Sequence, residues 1–199
     1  MILNISHITK SFGKNNILKD INLQIDHGEM VGVTGENGCG KSTLLKIVTG
    51  NLRSDSGNVY VQGKIGYCPQ DCILFPQLTV KENFRYFSSA YGLARSECDA
   101  QLNFLTEYFY FEQYISQKVI NLSSGTKQKL NLCLALLHEP DLLILDEPYN
   151  GFDWHTFNCF WDYTGILKER NCAILIVAHL LTNVEIFDKV YELNEGALK

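Results

Sequence analysis

The 199-residue chain has no apolar run near the roughly 20 residues that a membrane-spanning helix needs. Its N-terminus also lacks the basic, apolar and small-residue regions of a secretory signal. Positive charge is not in excess: 17 lysines and arginines stand against 22 aspartates and glutamates, a formal net charge of −5. Nucleic-acid partners usually leave a basic footprint, so no nucleic acid is expected as the main partner. No heptad run is present, so no long coiled coil is expected. The seven cysteines are odd in number and scattered, a pattern that suits a reducing compartment and argues against a disulfide scaffold. Cys68 and Cys72 have no matching second pair and the five histidines are dispersed, so a zinc site is not expected. Linkers, internal repeats and low-complexity segments are missing too.

What remains is a globular composition, 46% hydrophobic and 20% charged, able to bury a sizeable core. Leu3 and Ile5, then Ile21, Leu23 and Ile25, alternate with polar neighbours at the period of a half-buried strand. Gly13 and the Asn15–Asn16 pair mark a turn between them. A short apolar strand at 30–33 runs into glycines, and Leu44, Leu45, Ile47 and Val48 follow at helical spacing, with Gly50 as a stop. Val59 and Val61, then Ile65 and Tyr67, suggest a further hairpin. From about residue 71 to 121 the alternation gives way to aromatic-rich helical stretches at 80–91 and 98–111. Helical spacing at 130–137 and buried strands at 142–145 and 174–177 then restore an αβ rhythm, which implies a largely parallel sheet covered on both faces.

The segment Gly35-Glu36-Asn37-Gly38-Cys39-Gly40-Lys41-Ser42 matches G-x-x-x-x-G-K-S in full, after a strand and before a helix. Glycines there let backbone N–H groups curl around phosphates, and the helix N-terminus adds positive potential. Lys41 supplies a charge for the terminal phosphates and the Ser42 hydroxyl a ligand for Mg²⁺. Thr43 joins the same nucleotide-binding set. About a hundred residues later an apolar strand ends in Asp146-Glu147. Asp146 is placed to reach Mg²⁺, and Glu147 to polarise a water against the γ-phosphate. Cys39 carries two expectations: a reactive thiol at the phosphates, or a small apolar side chain turned inward.

Between loop and carboxylates, Leu122-Ser123-Ser124-Gly125-Thr126 resembles the LSGGQ signature of ATP-binding-cassette ATPases, departing at Ser124 and Thr126 but keeping Ser123 and Gly125. Ser123 or Ser124 can also cap the helix that follows. The resemblance covers nearly the whole chain. It implies a P-loop NTPase core of α/β class with a mostly parallel sheet, an N-terminal antiparallel β portion and an inserted α-helical subdomain. The chain 1–199 is then one cassette domain, its core at about 1–70 and 122–199 and its helical subdomain at about 71–121. Gln70 takes the Q-loop place, implying contact with Mg²⁺ and the attacking water. Asp153, ending Asn150-Gly151-Phe152-Asp153, takes the D-loop place. His179 takes the H-loop place against the γ-phosphate. Phe12 takes the A-loop place where a ring stacks on adenine, with core packing as the alternative.

The resemblance implies ATP and Mg²⁺ as cofactors and a head-to-tail dimer, since each motif occurs once and a second ATPase subunit is needed. Aromatics at Phe84, Tyr86, Phe87, Tyr91 and Tyr108 to Phe111 cannot all face one core, so some are expected on a docking surface for an integral membrane permease subunit. Packing within the subdomain is the alternative. With only a short stretch after His179, the regulatory domain of many importer ATPases is not expected. Gln117-Lys118-Val119 and Lys127-Gln128-Lys129-Leu130 resemble small bacterial exporter ATPases. The expected role is the cytoplasmic motor of an exporter, peripheral on the inner face of the cell membrane. A soluble cassette ATPase in iron–sulfur assembly or on ribosomes is the rival.

Overall fold

The computed structural model describes residues 1–181 and 184–199. Strands β1 (Leu3–Phe12) and β2 (Asn15–Ile25) form an antiparallel pair around a turn at Gly13, whose φ of +61° suits glycine. Strand β3 (Met30–Thr34) then enters a second sheet, and helix α1 (Lys41–Val48) follows the glycine loop. Strand β4 (Ser56–Val61) returns to the first sheet and β5 (Ile65–Cys68) joins the second. Helices α2 (Val80–Ala90), α3 (Arg95–Tyr108) and α4 (Ser124–Leu136) come next, and β6 (Leu142–Asp146) follows. The chain ends with α5 (Trp154–Glu169), β7 (Ala173–Val177), β8 (Lys189–Asn194) and β9 (Ala197–Leu198).

Strand order is β2-β1-β4 in the antiparallel sheet and β5-β6-β7-β3-β8-β9 in the larger one, where only β9 runs antiparallel to its neighbour. The α/β fold with an N-terminal antiparallel part is therefore as the sequence implied. The strand period of two explains the layering. On β6, Leu142 and Ile144 face the core shared with the first sheet and α1, whereas Leu143 and Leu145 face the helical side. On β7, Leu175 and Val177 take the first side, Ile174 and Ile176 the second. Both faces are covered, so the central strands are apolar throughout.

The hairpin expected across 59–67 does not form. Strand β4 pairs with β1, and β5 pairs in parallel with β6. Gly63, at φ +84°, turns the chain against the Asp141 carboxylate, which accepts the Lys64 N–H at 2.7 Å. That anchor at the start of β6 carries the next strand into the other sheet.

Helix α2 begins with a capping box: Thr79 Oγ1 accepts the Glu82 N–H at 3.2 Å and Glu82 Oε2 accepts the Thr79 N–H at 2.7 Å. The aromatic block divides. Phe84, Phe109 and Phe111 are fully buried, whereas Tyr86 and Tyr110 are more than half exposed. Tyr110, at φ +56°, breaks α3 and so points away from the core its two neighbours share. No described helix is long and apolar enough to cross a membrane.

Candidate nucleotide site

The phosphate loop joins β3 to α1, with Gly38 at φ +82° and Gly40 at φ +114°. At Gly40 a Cβ would press Ile17 Cγ2 at 2.9 Å, and at Gly35 it would meet the Leu193 carbonyl oxygen at 2.5 Å. Glycine is required at both, by conformation and by space. Lys41 Nζ folds over the loop and donates to the carbonyls of Gly35 at 2.6 Å and Glu36 at 2.9 Å. The loop borders a cleft of about 340 Å³, also lined by Phe12, Ile17, Asn37, Ser42, Thr43, Gln70, Asp146 and Glu147. Phe12 stands half exposed at its mouth rather than in the core, with Lys10 Nζ 5.5 Å from the ring centroid.

Asp146 closes β6 and is buried. Burial and then the neighbouring Glu147 charge push its carboxyl up to about 6, with Lys41 opposing them. A buried carboxylate this short of positive charge has the chemistry of a divalent-cation ligand. Among the described residues no group of three His, Cys, Asp or Glu side chains could hold a metal alone. A Mg²⁺ ion at Asp146 would need further oxygen donors, and the Ser42 hydroxyl lines the same cleft.

Glu147 has φ +48° and its N–H continues the ladder to the Val177 carbonyl at 2.8 Å. Its Oε2 accepts hydrogen bonds from Gln70 Nε2 at 3.0 Å and Asn150 Nδ2 at 2.8 Å. Neither the pairing of Asn150 with Glu147 nor the place of Ile17 in the cleft wall is legible in the sequence. Ile17 looks like any strand residue, and Asn150 gives no local signal beyond lying in a turn.

Several predicted site residues lie outside this cleft. Cys39 is half buried and packs against the core between the sheets, its Sγ turned toward Gly35. The inward alternative describes it better than a thiol facing the phosphates. His179 lines a separate depression with Thr34, Gly35, Glu36 and Leu180. Ser123 caps α4, its Oγ accepting the Thr126 N–H at 3.1 Å and sharing a hydrogen bond with Thr126 Oγ1 at 2.9 Å. Gly125 abuts Gly151, where a Cβ would sit 2.5 Å from the carbonyl oxygen. Asp153 caps α5 by accepting the Thr156 N–H at 2.8 Å, which holds its carboxyl below the usual range, and Lys129 Nζ stands 3.7 Å away.

A glycine-built loop between a central parallel strand and a helix, with an acidic pair ending a strand across β7, defines a P-loop nucleoside triphosphatase. The ABC transporter family profile matches residues 18–150. The linearmycin resistance ATP-binding protein LnrL of Bacillus subtilis is 32% identical over 99% of this chain and 68% of its own length. The ABC transporter ATP-binding protein NatA of the same organism is 33% identical over 90% of this chain and 78% of its own. A solved structure of an ATP-binding subunit of an ABC transporter superposes with a TM-score of 0.94 at 30% identity, covering 100% of this chain and 88% of that one. The chain belongs to the ATP-binding proteins of ABC transporters, and it is an ATPase of the cassette type. ATPases of this family work as dimers. A dimeric bacterial ABC cassette shares the fold at a TM-score of 0.90 and 23% identity, covering 100% of this chain and 97% of that one.

Proposed function

We propose that this ATPase powers export across a membrane as the cytoplasmic subunit of a transporter whose membrane-spanning part is a separate polypeptide. The observation that carries the catalytic reading is the convergence of Lys41, Ser42, Gln70, Asp146 and Glu147 on one cleft. In this reading the loop N–H groups of Asn37 to Lys41 bind the phosphates, and Phe12 stacks on the base. Ser42, Asp146 and Gln70 hold Mg²⁺. When bound there, Mg²⁺ would supply positive charge against the phosphates. Glu147 takes the proton of the attacking water. Ser123, Gly125 and Asp153 lie outside their own cleft and serve the nucleotide of the second subunit. His179 meets the γ-phosphate once that dimer closes.

Residues 71–121 form the block that faces the membrane partner. Support comes from Ile73, Phe75 and Tyr86, exposed on the stretch that follows Gln70, with the two rings edge-to-face at 4.4 Å. Exposed aromatics of this kind supply contact area at low entropy cost. The export direction is supported by relatives named for linearmycin resistance and for probable multidrug transport. Affinity purification from membranes tests the reading: a polytopic membrane protein should co-purify with the wild type and be lost from Tyr86→Ala with ATP turnover retained. Recovery of the chain only with soluble partners would refute it.

A further inference from the structure

The Glu147 side chain is held by two amides that converge on one oxygen. Gln70 Nε2 reaches Oε2 from the end of β5, and Asn150 Nδ2 reaches the same atom from the loop after β6. Among the described residues no donor reaches Oε1. We infer that Asn150 is a positioning residue for hydrolysis, fixing the Glu147 carboxylate so that Oε1 alone is free to take the proton of the attacking water. The inference rests on the reading of Glu147 as the base.

Glu147 sits at φ +48°, outside the region that non-glycine residues prefer, so its backbone alone does not place its side chain in an ordinary strand direction. A carboxylate on a flexible stem samples several rotamers unless charge-assisted hydrogen bonds select one. Asn150 is itself well anchored. Its N–H turns back to the Glu147 carbonyl at 3.4 Å, the next residue, Gly151, packs on Gly125, and Asp153 caps α5. Gln70 follows Pro69, whose carbonyl accepts a hydrogen bond from Asn131 Nδ2 at 2.8 Å, so the second amide is anchored as well. Asn150 ties the base to the loop braced against the start of α4.

The experiment compares Asn150→Ala with Asn150→Leu, which keeps the volume and removes both N–H donors without adding a charge beside Glu147. In each, kcat for MgATP should fall about ten- to hundredfold. KM, and affinity for a non-hydrolysable ATP analogue, should stay within about twofold, because binding does not use this contact. In a Glu147→Gln background, adding Asn150→Ala should change neither the residual turnover nor the MgATP-dependent dimer seen by size exclusion. A thermal melt of each variant identifies one that fails to fold, and the volume-conserving Asn150→Leu then decides. Unchanged kcat in the folded variants would overturn the inference. So would an equal loss of nucleotide affinity, or a further loss on top of Glu147→Gln. If Glu147→Gln itself turns over normally, the base assignment fails and the inference falls with it. Slow Glu147→Gln beside normal Asn150→Ala sinks the positioning role alone.

Discussion

Replacing Gly125 with alanine adds one methyl group where the packing leaves no space for it. The new Cβ would lie 2.5 Å from the Gly151 carbonyl oxygen, against 3.4–4 Å for ordinary van der Waals contact. One backbone must retreat by about 1 Å, and overpacking of this kind costs about 1–3 kcal/mol. Alanine's better helix propensity and smaller unfolded-state entropy return at most about 1 kcal/mol. The net loss of about 1–2 kcal/mol should lower Tm by roughly 2–8 °C in a chain of this size. Gly165→Ala is the matched control: it lies inside α5, exposed, with nothing within 4 Å of its would-be Cβ. Only the propensity gain remains there, so Tm should rise by about 1–4 °C. Scanning fluorimetry reads both shifts. ATP turnover should drop in Gly125→Ala alone, since Gly125 is assigned to the second subunit's nucleotide and retreat of Gly151 would also displace its neighbour Asn150. Gly125→Ala melting at or above wild type, or both variants shifting the same way, would refute this reasoning.

Two further outcomes follow from packing and charge. Phe84 is fully buried in α2, so Phe84→Ala should cost about 3–5 kcal/mol and lower Tm by roughly 6–20 °C in the same assay. At Asp188, burial pulls the carboxyl upward, but hydrogen bonds from Lys168 and from the Met30 N–H, both 2.7 Å, outweigh it and hold the group below the usual carboxylate range. A depressed folded pKa gives stability that is full above the unfolded value and lost as pH falls through the folded one. Urea titrations should therefore show Asp188→Asn less stable than wild type at neutral pH, with the gap narrowing below about pH 4.

The phosphate loop and the acidic strand end were legible because each needs particular residue types at fixed spacing. Gly35, Gly38 and Gly40 answer to backbone conformation and close contacts, and β6 to burial on both faces. The 59–67 hairpin misled because a short gap with glycine is the usual sign of paired strands. What decides the pairing is Asp141, 77 positions from Lys64 in the chain, and no local pattern announces it. Helix α5 escaped notice for another reason. Its apolar residues are mainly aromatics, with Cys159, Ile166 and Leu167, spread around much of its circumference, so no clean stripe appears, although the cap Asp153 to Thr156 is legible. Asn150 illustrates the same limit at the site, since its partner is fixed by a turn geometry that composition does not reveal.

ATP turnover by Glu147→Gln tests the central claim most directly. The amide keeps the shape, including the Oε side chain that Gln70 and Asn150 contact, and removes the base and its charge. Turnover should fall about a hundredfold or more while MgATP still binds, so that an ATP-dependent dimer accumulates on size exclusion. Turnover near that of wild type, with no dimer retained, would contradict the assignment of Glu147 as the base of this ATPase.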